Sequence, residues 1–180
     1  MRQPFIEPTG IDGLVVINPA IFQDDRGYFY ESYNKQTLEK HGLYYDFVQD
    51  NQARSVRGVL RGLHFQTEPY AQAKLVRVIE GEVYDVAVDV RPQSPTYGKW
   101  FGVILSAANK KQLMIPRGFA HGYLVLSDTA EFFYKCDNYY SKAHEDGIIY
   151  NDPNLAIDWQ IPSHELIISP KDQILNTLKL

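Results

Sequence analysis

QAKLVRVIEGEVYDVAVDVR (Gln72–Arg91) holds two strand-like runs separated by one glycine, and its pattern decides the fold class. Leu75–Glu80 and Glu82–Val90 are rich in β-branched residues, which pack well on a pleated surface. In the second run Tyr84, Val86, Val88 and Val90 share one face while Asp85 and Asp89 lie on the other, so only one face is expected to seek a dry core. In the first, Lys74 and Val76 alternate with Leu75 and Arg77. Similar runs recur on both sides, at Leu14–Asn18, Tyr28–Tyr33, Asp46–Ala53, Val59–Phe65, Trp100–Leu105, Gln112–Ile115, Gly122–Leu126 and Ala130–Tyr139. Their number and spacing predict an all-β sandwich or barrel. One short helix is expected over Asn34–His41, capped by Asn34 and ended by Gly42 in a left-handed turn.

No linker, repeat or composition shift divides the 180 residues, so one domain over 1–180 is expected, with a looser C-terminal segment. A net charge of -4 lacks the basic footprint of a nucleic-acid binder, so any anionic ligand must be held by a few placed cations. The single cysteine, Cys136, allows neither an internal disulfide nor a multi-cysteine zinc site. No apolar run approaches a membrane span and the N-terminus lacks a signal-peptide core, so a soluble, cytoplasmic protein is expected.

Two histidines stand in strand contexts. His64 lies in LRGLHFQ (Leu60–Gln66), and His121 in IPRGFAHGY (Ile115–Tyr123). Pro116, Gly118 and His121 match the P-x-G-x-x-H pattern of the cupin superfamily, small barrels that often hold a metal. A metal-dependent cupin oxygenase or isomerase is therefore one functional class to weigh. Against it, Gln66 stands where a metal cupin carries its second histidine, and two isolated imidazoles hold a transition metal poorly. No metal site is expected.

Acid–base chemistry is the second class. Proton removal beside a carbonyl needs a base, a cation or donor for the enolate oxygen, and an acid to return a proton. His64 is a candidate base, Lys74 a fixed cation, and Tyr134 in EFFYKC a candidate acid. Tyr134 shares a strand face with Phe132, so lysine and tyrosine can both project inward. Five histidines and 13 tyrosines also make chance pairs common, and a non-catalytic binding module is the third class.

Taken together, RGLHFQ, QAKLVRVIEGEVYDVAVDVR, SPTYGKWFGVILSAANKKQLMIPRGFAHGYLVLS, AEFFYKCDNYYS and GIIYNDP closely resemble the dTDP-4-dehydrorhamnose 3,5-epimerase family, from about Phe22 to Asp172. The resemblance implies a cupin-type double-stranded β-helix, or jelly roll, with short peripheral helices. It also implies a homodimer acting without cofactor on a dTDP-4-keto-6-deoxyhexose. It makes His64 the base, Asp172 in SPKD its orienting carboxylate, Tyr134 the acid, and Lys74 the cation near the sugar's C4 oxygen. Asp85 is the alternative partner for His64. His121 is placed beside the sugar, Arg26 and Arg61 at the diphosphate, and Gln49, Asn51, Glu31, Glu145 and Lys171 at further substrate contacts. Tyr139 is placed to stack on thymine. Arg26 and Glu31 lie in a region that reaches the neighbouring subunit in the family.

Two points stay open. Strict alternation in LRGLHFQ puts His64 and Arg61 on opposite faces, which a bulge near Gly62 would resolve. The chain also departs from the family's pattern at Tyr150, around Glu145 and after Asp172. Epimerisation at only C3 or only C5 therefore remains an alternative to both.

Overall fold

The computed structural model describes residues 4–179. In chain order the strands are β1 (Phe5–Pro8), β2 (Val15–Asn18), β3 (Phe22–Asp24), β4 (Gly27–Phe29), β5 (Gln49–Val56), β6 (Val59–Gln66) and β7 (Lys74–Glu80). They continue as β8 (Glu82–Asp89), β9 (Trp100–Ser106), β10 (Gln112–Ile115), β11 (Phe119–Val125), β12 (Thr129–Cys136), β13 (Glu145–Gly147) and β14 (Ile167–Ile168). Helix α1 (Lys35–Lys40) and three short 3-10 turns complete the elements.

Two sheets face each other. The first has the order β1-β2-β10-β7-β12-β5, the second β13-β6-β11-β8-β9, with β14 added in parallel to β6. Because consecutive strands β5 and β6, and again β7 and β8, belong to different sheets, the chain crosses repeatedly between layers, as a jelly roll requires. β3 and β4 form a separate hairpin.

The inner faces meet in a core in which Val76, Val78, Leu113, Ile115 and Phe132 pack with Val83, Ala87, Leu105, Phe119 and Val125. Full burial of a side chain of this kind contributes roughly 1.5–3 kcal/mol. On the outer face of the first sheet, Ile17, Leu75 and Met114 pack with Leu38 of α1 and with Leu43, Tyr33 and Phe47. The expected caps of α1 are present: the Asn34 side chain accepts from the Thr37 N–H at 3.2 Å, and Gly42 has φ +78°.

The expectation that β8 buries only one face is corrected, since every residue from Val83 to Asp89 is buried. Tyr84, Val86 and Val88 face outward into a second core closed by Ile148, Leu155, Trp159 and Leu178 of the C-terminal segment. That segment, expected to be loose, is a lid over the second sheet, and the inward side of β8 carries Asp85 into the space between sheets. Other corrections are local. Tyr30–Tyr33 and Asp137–Tyr139 leave the sheet, β5 begins at Gln49 rather than Asp46, and β11 begins at Phe119 rather than Gly122. Tyr33 turns instead to stack edge-on against Phe47, 5.5 Å between centroids. Among the described residues no helix is long and apolar enough to cross a membrane.

At the end of β8, Asp89 is 0% exposed and gathers the following turn. It accepts from the Arg91 backbone N–H at 3.0 Å, from the guanidinium at 2.9 and 2.7 Å, and from the hydroxyls of Ser94 and Thr96. Burial alone would raise its pKa, but Arg91, Ser94 and Thr96 outweigh that and bring it from 3.8 to about 2. That drop is worth about 2 kcal/mol of stability. Because the folded value lies below the unfolded one, the contribution is complete above pH 3.8 and disappears as pH falls towards 2. Asp89→Asn is expected to lower unfolding free energy by about 2 kcal/mol near neutral pH in urea titrations, with the gap to wild type closing below pH 4. A gap that persists unchanged in acid would assign the loss to packing rather than charge.

Candidate active site

The site is shaped by an irregularity in LRGLHFQ. Between β6 and β11, His64 pairs with His121 but Arg61 pairs with Tyr123, so three steps on β6 match two on β11. The extra residue is a β-bulge, and it resets the alternation of side chains. Gly62 sits there with φ +130°, and a Cβ on it would meet the Gly122 Cα at 2.5 Å. Glycine is therefore required by both backbone angle and contact. As a result Arg61 and His64 line the same cavity, against strict alternation.

The cavity, about 510 Å³, opens between the sheets. The second sheet contributes Arg61, His64, His121 and Tyr123, and the first contributes Lys74, Phe132 and Tyr134. The segment from Ile167 to Asp172 closes a third side.

His64 Nε2 lies 2.6 Å from Asp172 Oδ1, although the two are 108 residues apart in sequence. Asp172 is 3% exposed and also accepts from the Gly62 N–H at 3.4 Å. Burial pushes its pKa up, yet the His64 hydrogen bond and charge, with Gly62 and Ser169, hold it below the ordinary carboxylate value. An ionised carboxylate can only accept, so Nε2 carries hydrogen and Nδ1 is left as the basic nitrogen of a neutral ring.

Asp85 does not pair with His64. Both its oxygens lie 3.0 Å from His121 Nε2, and it is 0% exposed. A buried carboxylate stripped of its partner costs about 3–5 kcal/mol, which keeps His121 at this position.

On the opposite wall, burial first, then the negative ends of Cys136 and Tyr123, push the Tyr134 phenol up to about 12. It is a neutral hydroxyl at neutral pH. Burial pushes Lys74 down, while Cys136, Asp85 and Glu145 oppose that. Its Nζ stands 6.0 Å from the Tyr134 ring centroid.

The remaining expected residues divide. Lys171 lines the cavity and pairs with Glu145, which also accepts from the Tyr140 hydroxyl at 2.9 Å. Gln49 and Asn51 lie on β5, joined at 3.1 Å, with Asn51 opposite Tyr134. Gln49 accepts from the Tyr140 N–H at 3.2 Å. Tyr139 is exposed nearby, its carbonyl accepting from Gln66. Of these, only Lys171 is in the cavity wall; Gln49, Asn51, Tyr139 and Glu145 are not among its lining residues.

Arg26 and Glu31 are not brought to this cavity. Arg26 is at the tip of the β3–β4 hairpin, its side chain 90% exposed and paired with Asp24 at 2.6 Å. Glu31 accepts from Asn34 and borders a separate hollow with Phe22, Phe29 and Gln112. The hairpin is exposed and pairs with neither main sheet, and within one chain neither residue lines the cavity that holds His64.

Gln66, standing where a metal cupin has histidine, is occupied with backbone. It donates to the Tyr70 carbonyl at 3.0 Å and accepts from the Ser141 N–H at 2.7 Å. Among the described residues no three His, Cys, Asp or Glu side chains are grouped to hold a metal ion. Tyr150 packs in the outer core and its carbonyl accepts from Trp159, so this departure from the family's pattern does not reach the cavity.

Sequence reasoning did not assign Tyr123, Phe132, Ile167, Ile168 and Ser169 to the site. Tyr123 and Phe132 carried a signal, each two residues from an expected site residue on its own strand. The Ile167–Ser169 segment carried none.

The family model described as dTDP-4-dehydrorhamnose 3,5-epimerase matches residues 8–179. The dTDP-4-dehydrorhamnose 3,5-epimerase of Escherichia coli is 58% identical over 172 residues, covering 94% of this chain and 92% of the relative. The crystal structure of the enzyme so named from Elizabethkingia anophelis superposes with a TM-score of 0.95 at 51% identity, covering 98% of this chain and 97% of that one. A dTDP-6-deoxy-D-glucose-3,5-epimerase from Legionella pneumophila, solved in complex with dTDP-4-keto-L-rhamnose, gives 0.93 at 51% identity, covering 97% and 93%.

Because Gly62 permits the bulge, Gly62→Ala is expected to cost about 2–4 kcal/mol in urea unfolding and to weaken anion binding, by turning Arg61 or His64 off the wall. Wild-type stability and affinity in this variant would show that the bulge accommodates a side chain.

Proposed function

The chain belongs to the dTDP-4-dehydrorhamnose 3,5-epimerase family, and on that premise we propose that its cavity inverts dTDP-4-dehydro-6-deoxy-D-glucose at C3 and C5, giving dTDP-4-dehydro-L-rhamnose. The observation that carries the mechanism is a base and an acid on opposite sheets. His64, bonded to Asp172, lines one wall and Tyr134 the other, with Lys74 beside Tyr134.

Both carbons are α to the C4 ketone, so removing either proton produces the same kind of enolate. His64 takes the proton, and the C–H electron pair moves into the ring with negative charge on the C4 oxygen. The Lys74 ammonium hydrogen-bonds that oxygen. Tyr134 then delivers its hydroxyl proton to the other face of the carbon, which inverts it, and the phenolate and imidazolium return to their starting forms by exchange with water. Asp172 keeps Nε2 protonated, so that Nδ1 is the accepting nitrogen, and it favours the imidazolium formed in the step. Neither metal nor organic cofactor enters this scheme. His121 is a further donor to the sugar, Arg61 holds the diphosphate, and Gln49, Asn51, Glu145 and Lys171 complete the substrate contacts. Tyr139 stacks on the thymine.

Residues 1–180 act as one domain in this reading, in a soluble, cytoplasmic homodimer. Phe22, Tyr28 and Phe29 expose apolar surface on the hairpin that carries Arg26, which supports docking of that hairpin on a second copy. Arg26 and Glu31 then serve the partner's cavity. Sedimentation at twice the chain mass is the expected result, and a monomer with full activity would remove both from the site.

Incubation with dTDP-4-keto-6-deoxyglucose in deuterium oxide is expected to place deuterium at C3 and C5. Label at one carbon would restrict the enzyme to a single position, and label at neither would sink the reading. His64→Ala is expected to lower kcat by about 10³-fold. Tyr134→Phe is expected to leave slow exchange with retained configuration, because the base alone returns a proton to the face it came from.

A further inference from the structure

Arg61 lines the cavity without a counter-charge: among the described residues it makes no ion pair, and the groups it meets, the Ser55 hydroxyl and the Tyr123 phenol, are neutral. Ser55 Oγ accepts from Arg61 Nε at 3.2 Å and from Nη2 at 3.1 Å. Ser55 is 7% exposed and does not line the cavity, so it lies behind the guanidinium rather than beside a ligand. The two residues flank the turn between β5 and β6, where the chain crosses from one sheet to the other, and Ser55 is fixed by pairing with Ala130 of β12.

We infer that Ser55 is a positioning residue that holds the Arg61 guanidinium end-on to the diphosphate of the substrate. The deduction follows from donor bookkeeping. A guanidinium has five N–H groups, and Ser55 engages one on Nε and one on Nη2. Of the three that remain, one on Nη1 and one on Nη2 form the terminal edge of the fork, which suits paired phosphate oxygens. A hydroxyl does this without neutralising the charge, whereas a carboxylate at the same place would compete with phosphate. Fixing a long side chain before the ligand arrives also removes part of the ordering cost of binding. Ser55 and Arg61 act together on the Tyr123 phenol, whose pKa is raised by burial and drawn back by both.

This inference rests on the assignment of Arg61 to the diphosphate, so its test must fail separately from the reaction. Thymidine diphosphate and thymidine are titrated calorimetrically into wild type, Ser55→Ala, Ser55→Thr and Ser55→Asp. Ser55→Ala is expected to weaken thymidine diphosphate about five- to tenfold while leaving thymidine unchanged, and to raise KM far more than it lowers kcat. Ser55→Thr, which keeps the hydroxyl, is expected to restore affinity, and Ser55→Asp to weaken it beyond alanine. In an Arg61→Ala background, Ser55→Ala is expected to have no further effect. Unchanged diphosphate affinity in Ser55→Ala, or an equal loss without Arg61, would overturn the inference even if deuterium enters both carbons normally. Loss of deuterium incorporation in wild type, with the Ser55 pattern intact, would overturn the reaction and leave the clamp standing.

Discussion

Two backbones meet where side chains cannot follow. Gly62 on β6 and Gly122 on β11 approach so closely that a Cβ on either would strike the other strand, at 2.5 Å from Gly62 and 2.8 Å from Gly122. This contact permits the bulge that turns Arg61 and His64 to one wall. A regular strand would turn only one of Arg61 and His64 inward. With one extra residue β6 presents both, and the Gly62 N–H is also directed at Asp172. The cavity's chemistry therefore depends on a place where the sheet gives up its regular ladder.

The second dependence runs through the outer core. Residues Ile148–Leu178 close over the outward faces of β6, β8 and β11, burying Trp159, Leu155 and Ile148. Apolar burial seats the segment, and its parallel pairing of Ile167 and Ile168 with Val59 and Leu60 aims Asp172 at His64. A carboxylate 108 residues away is thus placed mainly by packing, with hydrogen bonds to His64 and the Gly62 N–H as the final adjustment. Two of the buried carboxylates go to histidines: Asp172 belongs to His64 and Asp85 to His121.

Much of this was legible in the sequence because its signals are local. Period-two alternation marked β7, β8 and β12, and with them the inward directions of Lys74 and Tyr134. Asn34 and Gly42 marked both ends of α1. The less legible parts are those that need a second element to be understood. In β8, Tyr84, Val86 and Val88 looked like the inner face, because no pattern within the strand announces that a distant segment will cover it. The partner of His64 could be drawn only from the resemblance, as Asp85 satisfied the same local criteria. Arg61 became readable once Gly62 was considered as a bulge, while Ser55 carried no signal, a common residue whose hydroxyl matters through a contact across a turn. Arg26 and Glu31 show the limit of one chain: neither lines the cavity that the resemblance assigns them.

The order of the chain has a consequence for when the site comes into being. His64 and Gly62 lie on β6, Tyr134 follows on β12, and Asp172 comes after every described strand. A chain emerging from a ribosome can pair most of both sheets before the carboxylate exists outside the tunnel. Until then His64 has no partner at Nε2 and the outer face of the second sheet is bare. The closing of that apolar face and the completion of the His64–Asp172 pair are therefore one event, and a protein whose last segment has not docked is both sticky and silent.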